Sequence, residues 1–293
     1  MYFNLKSLPD STKEVRPKSF YLEKGAVVLG LDAPMIIYCD DTCVDDIREM
    51  RGTRPTEYII KPFTDYDFYK DLCPIVTRQR PGQGMYIDSR NTPSYCVLTM
   101  FKIYMIYRSS LTNPFGSTHF AWLDFGGSHV MRGVAPAVSE IVKNPRPKVA
   151  MCYIHYRSRD ELRDNSAFHN GGLCGVGATS YTVEATYASR FYTGCMSIFY
   201  ELLSKGKGHV DEQVMTYYYD RYPEHCSIYY GDYYSIVSNY AGVREDYPSI
   251  KRFFIQEALN KGRKDLAVAC ARTVLASPLE LPEDERRYLE SLV

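Results

Sequence analysis

The chain has 293 residues, and 35 lysines plus arginines balance 35 aspartates plus glutamates, so the formal net charge is zero. This balance gives no broad attraction to nucleic acid or to an anionic membrane surface. No uncharged run approaches the roughly 20 residues that span a bilayer, and residues 1–6 lack the apolar core of a secretory signal. Nine cysteines without CxxC pairs fit reduced thiols. We therefore expect a cytoplasmic protein without a nucleic-acid partner or a transmembrane segment.

Runs with β-strand composition alternate with helical spacing in the first half of the chain. This alternation is typical of βαβ units and predicts an α/β fold with a mainly parallel sheet. The predicted strands are 1–5, 34–39, 57–61 and 119–123, the predicted helices are 18–30, 42–51 and 94–110, and 78–93 is a predicted loop.

The second half continues the pattern and ends in a helical tail. The predicted helices are 134–143, 179–204 with an interruption near 193–194, 211–219 and several segments from 249 onward; the predicted strands are 148–156 and 223–232; and 157–164 is a charged turn or short helix. We expect one domain over 1–245 and a C-terminal helical extension over 246–293, packed on that domain.

Asp124 lies where a predicted strand stops and a glycine pair begins. The preceding Asn113-Pro114-Phe115-Gly116 reads as a turn, because proline fixes φ and restricts the residue before it. In open α/β sheets the ligand crevice lies outside the carboxyl ends of the strands. Asp124 at such an end could hold a metal or a sugar, or it could simply cap the next turn.

Two further stretches allow both a structural and a functional interpretation. Residues 170–177 hold four glycines, but they match neither the phosphate-binding loop nor the dinucleotide fingerprint. A glycine turn is favoured there over a site for a sugar or pyrophosphate. Asp211 has the position of a helix N-cap or N1 residue, and an acid there can also face a crevice as a general base.

Hydrolase signatures are absent from the sequence. The six histidines form no HExxH motif and no zinc-ligand spacing, which argues against a zinc hydrolase. No GxSxG motif is present, so an α/β-hydrolase is rejected. A cysteine–histidine hydrolase stays possible with nine thiols, although no local signature marks a nucleophile.

Several stretches, in this order, resemble the HtrL/YibB-like family. Its N-terminal part resembles Tyr21-Leu22-Glu23 with residues 34–40, its central motif resembles residues 113–115 with 120–126, and its C-terminal half resembles Gly171-Gly172, Asp211-Glu212-Gln213 and residues 229–232. Members of that family look like GT-A glycosyltransferases. The resemblance, over about residues 1–240, implies a Rossmann-type GT-A-like sandwich that transfers a hexosyl or pentosyl group from a UDP- or GDP-sugar to a glycan or protein-linked hydroxyl.

The resemblance also implies roles for individual residues. Asp40 would face the base or ribose of the donor, Lys102 would neutralise its phosphate, and Asp211 or Glu212 would contact the donor sugar or act as the catalytic base. Gly171 and Gly172 would line the acceptor side. The full set of residues expected to bind the nucleotide sugar or to line its acceptor side is Asn4, Asp40, Arg51, Arg90, Lys102, Asp124, Gly126, Gly171 and Gly172.

The sequence departs from the GT-A pattern at the metal. These enzymes usually carry Asp-x-Asp, whereas this chain has Asp124-Phe125-Gly126. One carboxylate is a small ligand set for Mg²⁺ or Mn²⁺, although His129 could assist with Mn²⁺. We predict a divalent metal at Asp124 and His129. A metal-independent transferase stays open, as does a non-catalytic glycan- or protein-binding module on the same fold.

Overall fold

The computed structural model describes residues 3–12, 15–79, 91–164, 168, 174–207, 210–242 and 248–293. The α-helices in these ranges are α1 (Lys18–Leu29), α2 (Val44–Arg51), α3 (Asp67–Gln79), α4 (Pro93–Thr112), α5 (Val134–Lys143), α6 (Arg159–Asp164), α7 (Ala188–Ser204), α8 (Asp211–Arg221), α9 (Pro248–Asn260), α10 (Lys264–Leu275) and α11 (Glu283–Glu290). The strands are β1 (Met35–Cys39), β2 (Thr56–Ile60), β3 (His119–Leu123), β4 (Val149–Tyr153), β5 (Val176–Glu184) and β6 (Cys226–Tyr230).

Helix α4 runs through the main hydrophobic core and has clear signals at both ends. Pro93 occupies the first helical turn, where the missing N–H costs nothing. The Thr92 hydroxyl accepts a hydrogen bond from the Tyr95 N–H at 3.3 Å. The helix stops at Asn113, which adopts a left-handed conformation with φ of 36°. Because most of its length is buried, any polar residue on α4 needs a partner inside the protein.

Two sheets form the β structure. Strands β1 and β2 are parallel and make a two-stranded sheet, and the order β3-β5-β4-β6 makes a four-stranded sheet. Strands β4 and β6 are parallel, but β5 is antiparallel to both β3 and β4. The α/β prediction is confirmed, whereas the expectation of a mostly parallel sheet is wrong for the four-stranded sheet.

Strand β5 is the main error of the sequence prediction. Residues 179–184 were expected to begin a helix, yet Val176–Glu184 is the strand between β3 and β4. Its Thr, Tyr and Val side chains prefer a pleated surface. The expected break at 193–194 is also wrong, because both residues lie inside α7. A Cβ on Gly194 would lie 2.6 Å from the Tyr218 ring, so this glycine admits the close approach of α8.

The N-terminal segment differs from its prediction as well. A strand is predicted over 1–5; residues 1–2 lie outside the described residues, and a 3-10 helix begins at Leu5 (Leu5–Ser7). Phe3 is buried, and its ring lies 5.4 Å from the Phe63 ring. The Asn4 N–H donates to Asp40 Oδ2 at 2.9 Å, which fixes this segment beside the end of β1.

The C-terminal helices pack on the same core as the four-stranded sheet. Phe254 of α9 is 2% exposed, and its ring lies 5.1 Å from the rings of both Tyr153 and Tyr230. Buried residues of α10 and α11 belong to the same hydrophobic cluster. Within the ranges given above, none of the helices combines the length and apolar character that crossing a membrane requires.

Candidate functional site

Three elements that are distant in sequence place charged side chains together. Lys102 lies on α4, Asp124 follows β3, and Asp211 opens α8. The Lys102 ammonium lies 2.9 Å from Asp124 Oδ1 and 3.0 Å from Asp211 Oδ2. All three residues are site candidates from the sequence, and the structure brings them into one ion-paired cluster.

Backbone geometry holds the two carboxylates in place. The Asp124 N–H donates to the Thr179 carbonyl at 2.9 Å, so the backbone pairing of β3 with β5 continues to the residue that carries the carboxylate. The Trp122 indole N–H donates to Asp124 Oδ1 at 2.7 Å. Asp211 lies in the first turn of α8, where the helix dipole favours a negative charge. Asp124 does begin a turn, since its carbonyl accepts from the Gly127 N–H at 2.9 Å, and its role as a ligand stays a prediction.

The three groups differ in burial. The Asp124 side chain is 32% exposed, whereas Lys102 and Asp211 are 12% and 4% exposed. Burial would lower the pKa of Lys102, but the two carboxylates outweigh it and raise that pKa well above its usual value. Burial raises the pKa of Asp211, although Lys102 opposes the effect. Lys102 is therefore cationic at neutral pH, and Asp124 is the group that faces solvent.

Glu212 adjoins this cluster and is a candidate proton acceptor. The Tyr233 hydroxyl lies 3.0 Å from each carboxylate oxygen, and the Ala178 N–H donates to Oε1 at 3.3 Å. Burial and, next, the charge of Asp211 raise the pKa of Glu212 to about 7. A carboxylate with such a pKa can take up and release a proton near neutrality.

Asp40 and Asn4 contact each other at the end of β1. Besides the Asn4 N–H, Asp40 accepts a hydrogen bond from the Thr42 N–H at 3.0 Å, and it is 6% exposed. Both carboxylate oxygens are thus used within the protein. The predicted contact of this pair with the donor base or ribose stays a prediction.

Arg51 has a structural role, which corrects its assignment to the donor site. Its side chain is fully buried, and all five guanidinium N–H groups have protein partners. The acceptors are the carbonyls of Leu29, Leu31, Ala33 and Pro55 and the hydroxyl of Thr56. No donor group is left for a phosphate. Arg51 instead fastens the segment after α1 to the segment before β2.

The predicted metal ligands do not converge with further ligands. Among the residues that the structure describes, no group of three or more His, Cys, Asp or Glu side chains could hold a metal ion. His129 is exposed, and its Nδ1 lies 2.6 Å from the carbonyl of Gly126. Asp124 and Asp211 share the Lys102 ammonium instead. These residues do not make a ligand set for Mn²⁺ or Mg²⁺, and the metal stays a prediction.

Three of the predicted site residues, Arg90, Gly171 and Gly172, lie outside the described residues.

The sequence prediction also missed two contributors, Trp122 and Tyr233, which donate to Asp124 and Glu212. Trp122 was noticed only as part of the apolar strand. Trp122 is two residues from Asp124 and Tyr233 is 21 residues from Glu212, and neither spacing gives a signal strong enough to predict a specific hydrogen bond.

Comparisons with known proteins give no family for this chain. No family model matches it, and no curated protein matches it in sequence. Among solved structures, the apo form of mouse xyloside xylosyltransferase 1 is similar with a TM-score of 0.41 and 13% identity, over 72% of this chain and 80% of that chain. The chain is a mixed α/β protein, and the HtrL/YibB-like resemblance stays a prediction.

Proposed function

We propose that the protein is a nucleotide-sugar-dependent glycosyltransferase with its reacting centre at Asp124 and Glu212. One observation carries the proposal: Lys102 joins Asp124 to Asp211 beside a half-buried acid whose pKa is raised to about 7. Sugar transfer from a diphosphate needs a proton acceptor near neutrality and a cation near the leaving group. This cluster holds both kinds of group.

The proposed reaction is a direct transfer to a hydroxyl. Glu212 takes the proton of the acceptor hydroxyl, and that oxygen forms a bond to C1 of the sugar. The bond between C1 and the diphosphate oxygen breaks, and its electron pair leaves with the nucleoside diphosphate. Asp124 orients the sugar, and Asp211 holds Lys102 in place as the nearby cation.

Nucleotide binding is the first test. The protein is incubated with UDP- or GDP-sugars, with Mn²⁺ or with a chelator, and both nucleotide release and the melting temperature are measured. We expect release and a melting temperature that rises with nucleotide concentration. If no nucleotide raises the melting temperature, the transferase proposal fails. The chelator arm tests the predicted metal separately.

A matched pair of variants locates the site. Asp124→Asn removes the charge but keeps the shape, and we expect at least about a 100-fold loss of turnover with an unchanged fold. Asp45→Asn is the control, because the Asp45 side chain on α2 is 92% exposed. Wild-type turnover in Asp124→Asn would remove Asp124 from the site.

A glycan-binding module without catalysis is the second candidate. It is favoured by the position of Lys102, whose ammonium is already ion-paired with both aspartates. Calorimetric titration with oligosaccharides in the absence of nucleotide distinguishes the two candidates. Binding of a glycan together with no nucleotide-dependent stabilisation would support this module over the transferase.

A further inference from the structure

An apolar cleft separates the two sheets. It has a volume of about 480 Å³ and is lined by residues of β1 on one side and by every residue of β3 on the other. Helix α4 contributes Met105 and Ile106, and α5 contributes Val138 and Ile141. None of the lining residues is Asp, Glu, Lys or Arg. A phosphate or nucleotide would find no lysine or arginine there, and His119 is the one imidazole in the lining.

The edge of β1 that points away from β2 is identified by its register. The Met35 N–H donates to the Pro55 carbonyl, and the Cys39 carbonyl accepts from the Lys61 N–H. Alternate residues of a strand direct their backbone groups to opposite edges. Ile36 and Tyr38 therefore direct their N–H and C=O groups away from β2, to the edge that β2 leaves free.

Strand β3 presents a second free edge. The Asp124 N–H donates to the Thr179 carbonyl, and the Thr118 carbonyl accepts from the Ala185 N–H. By the same alternation, His119, Ala121 and Leu123 direct their backbone groups away from β5. Within the described part of the chain, neither β1 nor β3 pairs with another strand along these edges.

The apolar side chains that line the cleft and the unpaired edges of β1 and β3 together indicate which kind of ligand fits. Apolar side chains favour an apolar ligand, but a lipid or hydrocarbon chain would leave the edge N–H and C=O groups without partners. An extended peptide satisfies both requirements, since its backbone pairs with the edges and its side chains contact the walls. A strand residue occupies roughly 160 Å³, from the spacings of strands and sheets. The cleft therefore has room for about three residues.

We propose that the cleft binds an extended, uncharged, apolar β-strand from a partner polypeptide, which inserts between β1 and β3. The mouth of the cleft supports a partner that comes from outside, since Phe115 and Val142 line it and are 36% and 57% exposed. Large apolar side chains left exposed beside unpaired strand edges mark a docking site. The inserted strand links the two sheets into one. This inference does not depend on the proposed transferase activity.

Amide hydrogen exchange at single-residue resolution tests the proposal. The probe is a capped six-residue peptide of valines and isoleucines flanked by threonines. With the peptide, exchange should slow at least about tenfold at Ile36, Tyr38, Ala121 and Leu123. Ile37 and Trp122 are internal controls, because their N–H groups point to β2 and β5 and are protected with or without peptide.

A second peptide with the same side chains and N-methylated backbone tests the pairing itself, and it should give no protection. Four results would overturn the proposal. The edge amides are already as protected as the controls without peptide; no protection arises at millimolar peptide; the N-methylated peptide protects equally; or the strand protects only when it is fused ahead of Met1. The last result would show that the cleft accepts a strand only from its own polypeptide and not from a partner.

Discussion

The carboxylates of Asp211 and Glu212 have different partners, although the two residues are adjacent in sequence. Asp211 faces the Lys102 ammonium, whereas Glu212 faces the Tyr233 hydroxyl and the Ala178 N–H. Neutral donors stabilise a carboxylate less than an ammonium does. Burial raises the pKa of both acids; Lys102 opposes that rise at Asp211, whereas burial together with the charge of Asp211 raises the pKa of Glu212 to about 7. In the proposed reaction, Asp211 positions Lys102 and Glu212 exchanges the proton.

This pKa gives turnover a defined pH dependence. A base must be ionised, so kcat/KM should rise with pH and level off above about pH 7. Glu212→Gln should lower kcat/KM by about 100-fold or more and remove this rise. Tyr233→Phe removes hydrogen bonds that lower the pKa of Glu212, so the rise should move to higher pH. A pH profile unchanged in both variants would show that Glu212 is not the base.

The same group contributes to stability with a definite sign. Its folded pKa of about 7 lies above the ordinary value for glutamate, so between the two the folded protein keeps a proton that the unfolded chain releases. The free energy of unfolding should therefore fall as pH rises from about 4.5 to 7. Urea unfolding of the wild type and Glu212→Gln at both ends of this range measures the difference. An equal pH dependence in the two proteins would contradict the raised pKa.

At the scale of elements, α1 packs on the segment that carries Asp124. A Cβ added to Gly25 would lie 2.2 Å from the ring of Phe125, which is 7% exposed. Alanine normally favours a helix over glycine by about 1 kcal/mol. Here the close approach outweighs that gain, because the buried ring has to move.

We therefore expect Gly25→Ala to lower the free energy of unfolding by about 1–3 kcal/mol. It should also lower turnover, because Phe125 directly follows Asp124 in the chain. Gly242→Ala is the matched control, since a Cβ there meets nothing within 4 Å. Equal stability of the two variants in urea would show that α1 does not press on Phe125.

The structural elements were predictable to different degrees. The predicted helix 94–110 lies within α4, the predicted helix 134–143 coincides with α5, and Asp124, Lys102 and Asp211 were recognised as site candidates. Strand β5 was missed because only the three residues Ala185–Tyr187 separate it from α7, and none of them is a glycine or proline. Arg51 was misassigned because nothing local shows that its guanidinium is buried among carbonyls. Sheet order and the cleft depend on pairing between distant segments, which residue patterns do not encode locally.

At the scale of the whole molecule, the C-terminal helices complete the core. Phe254 brings α9 against Tyr153 of β4 and Tyr230 of β6, the two parallel strands of the larger sheet. Residues of α10 and α11 extend the same hydrophobic cluster. These contacts make the helical tail part of the structure that supports the sheet.

Phe254→Ala should therefore destabilise the whole protein. We expect a loss of about 3–5 kcal/mol in the free energy of unfolding, the usual cost of emptying a buried aromatic site. Leu111→Ala is the control, because Leu111 is 59% exposed and should change stability by less than about 0.5 kcal/mol. A Phe254→Ala protein as stable as the control in urea would show that the tail folds independently of the sheet.

The ion pairs of Lys102 also have a consequence for chemical reactivity. An amine reacts with acylating reagents only when it is deprotonated and accessible, and Lys102 is 12% exposed with a strongly raised pKa. Lys205, which is 56% exposed, should be labelled far faster by an N-hydroxysuccinimide ester. Acylation of Lys102 then requires the junction of α4, β3 and α8 to open. Its labelling rate, read by mass spectrometry, would record how often the candidate site comes apart while the rest of the protein stays folded.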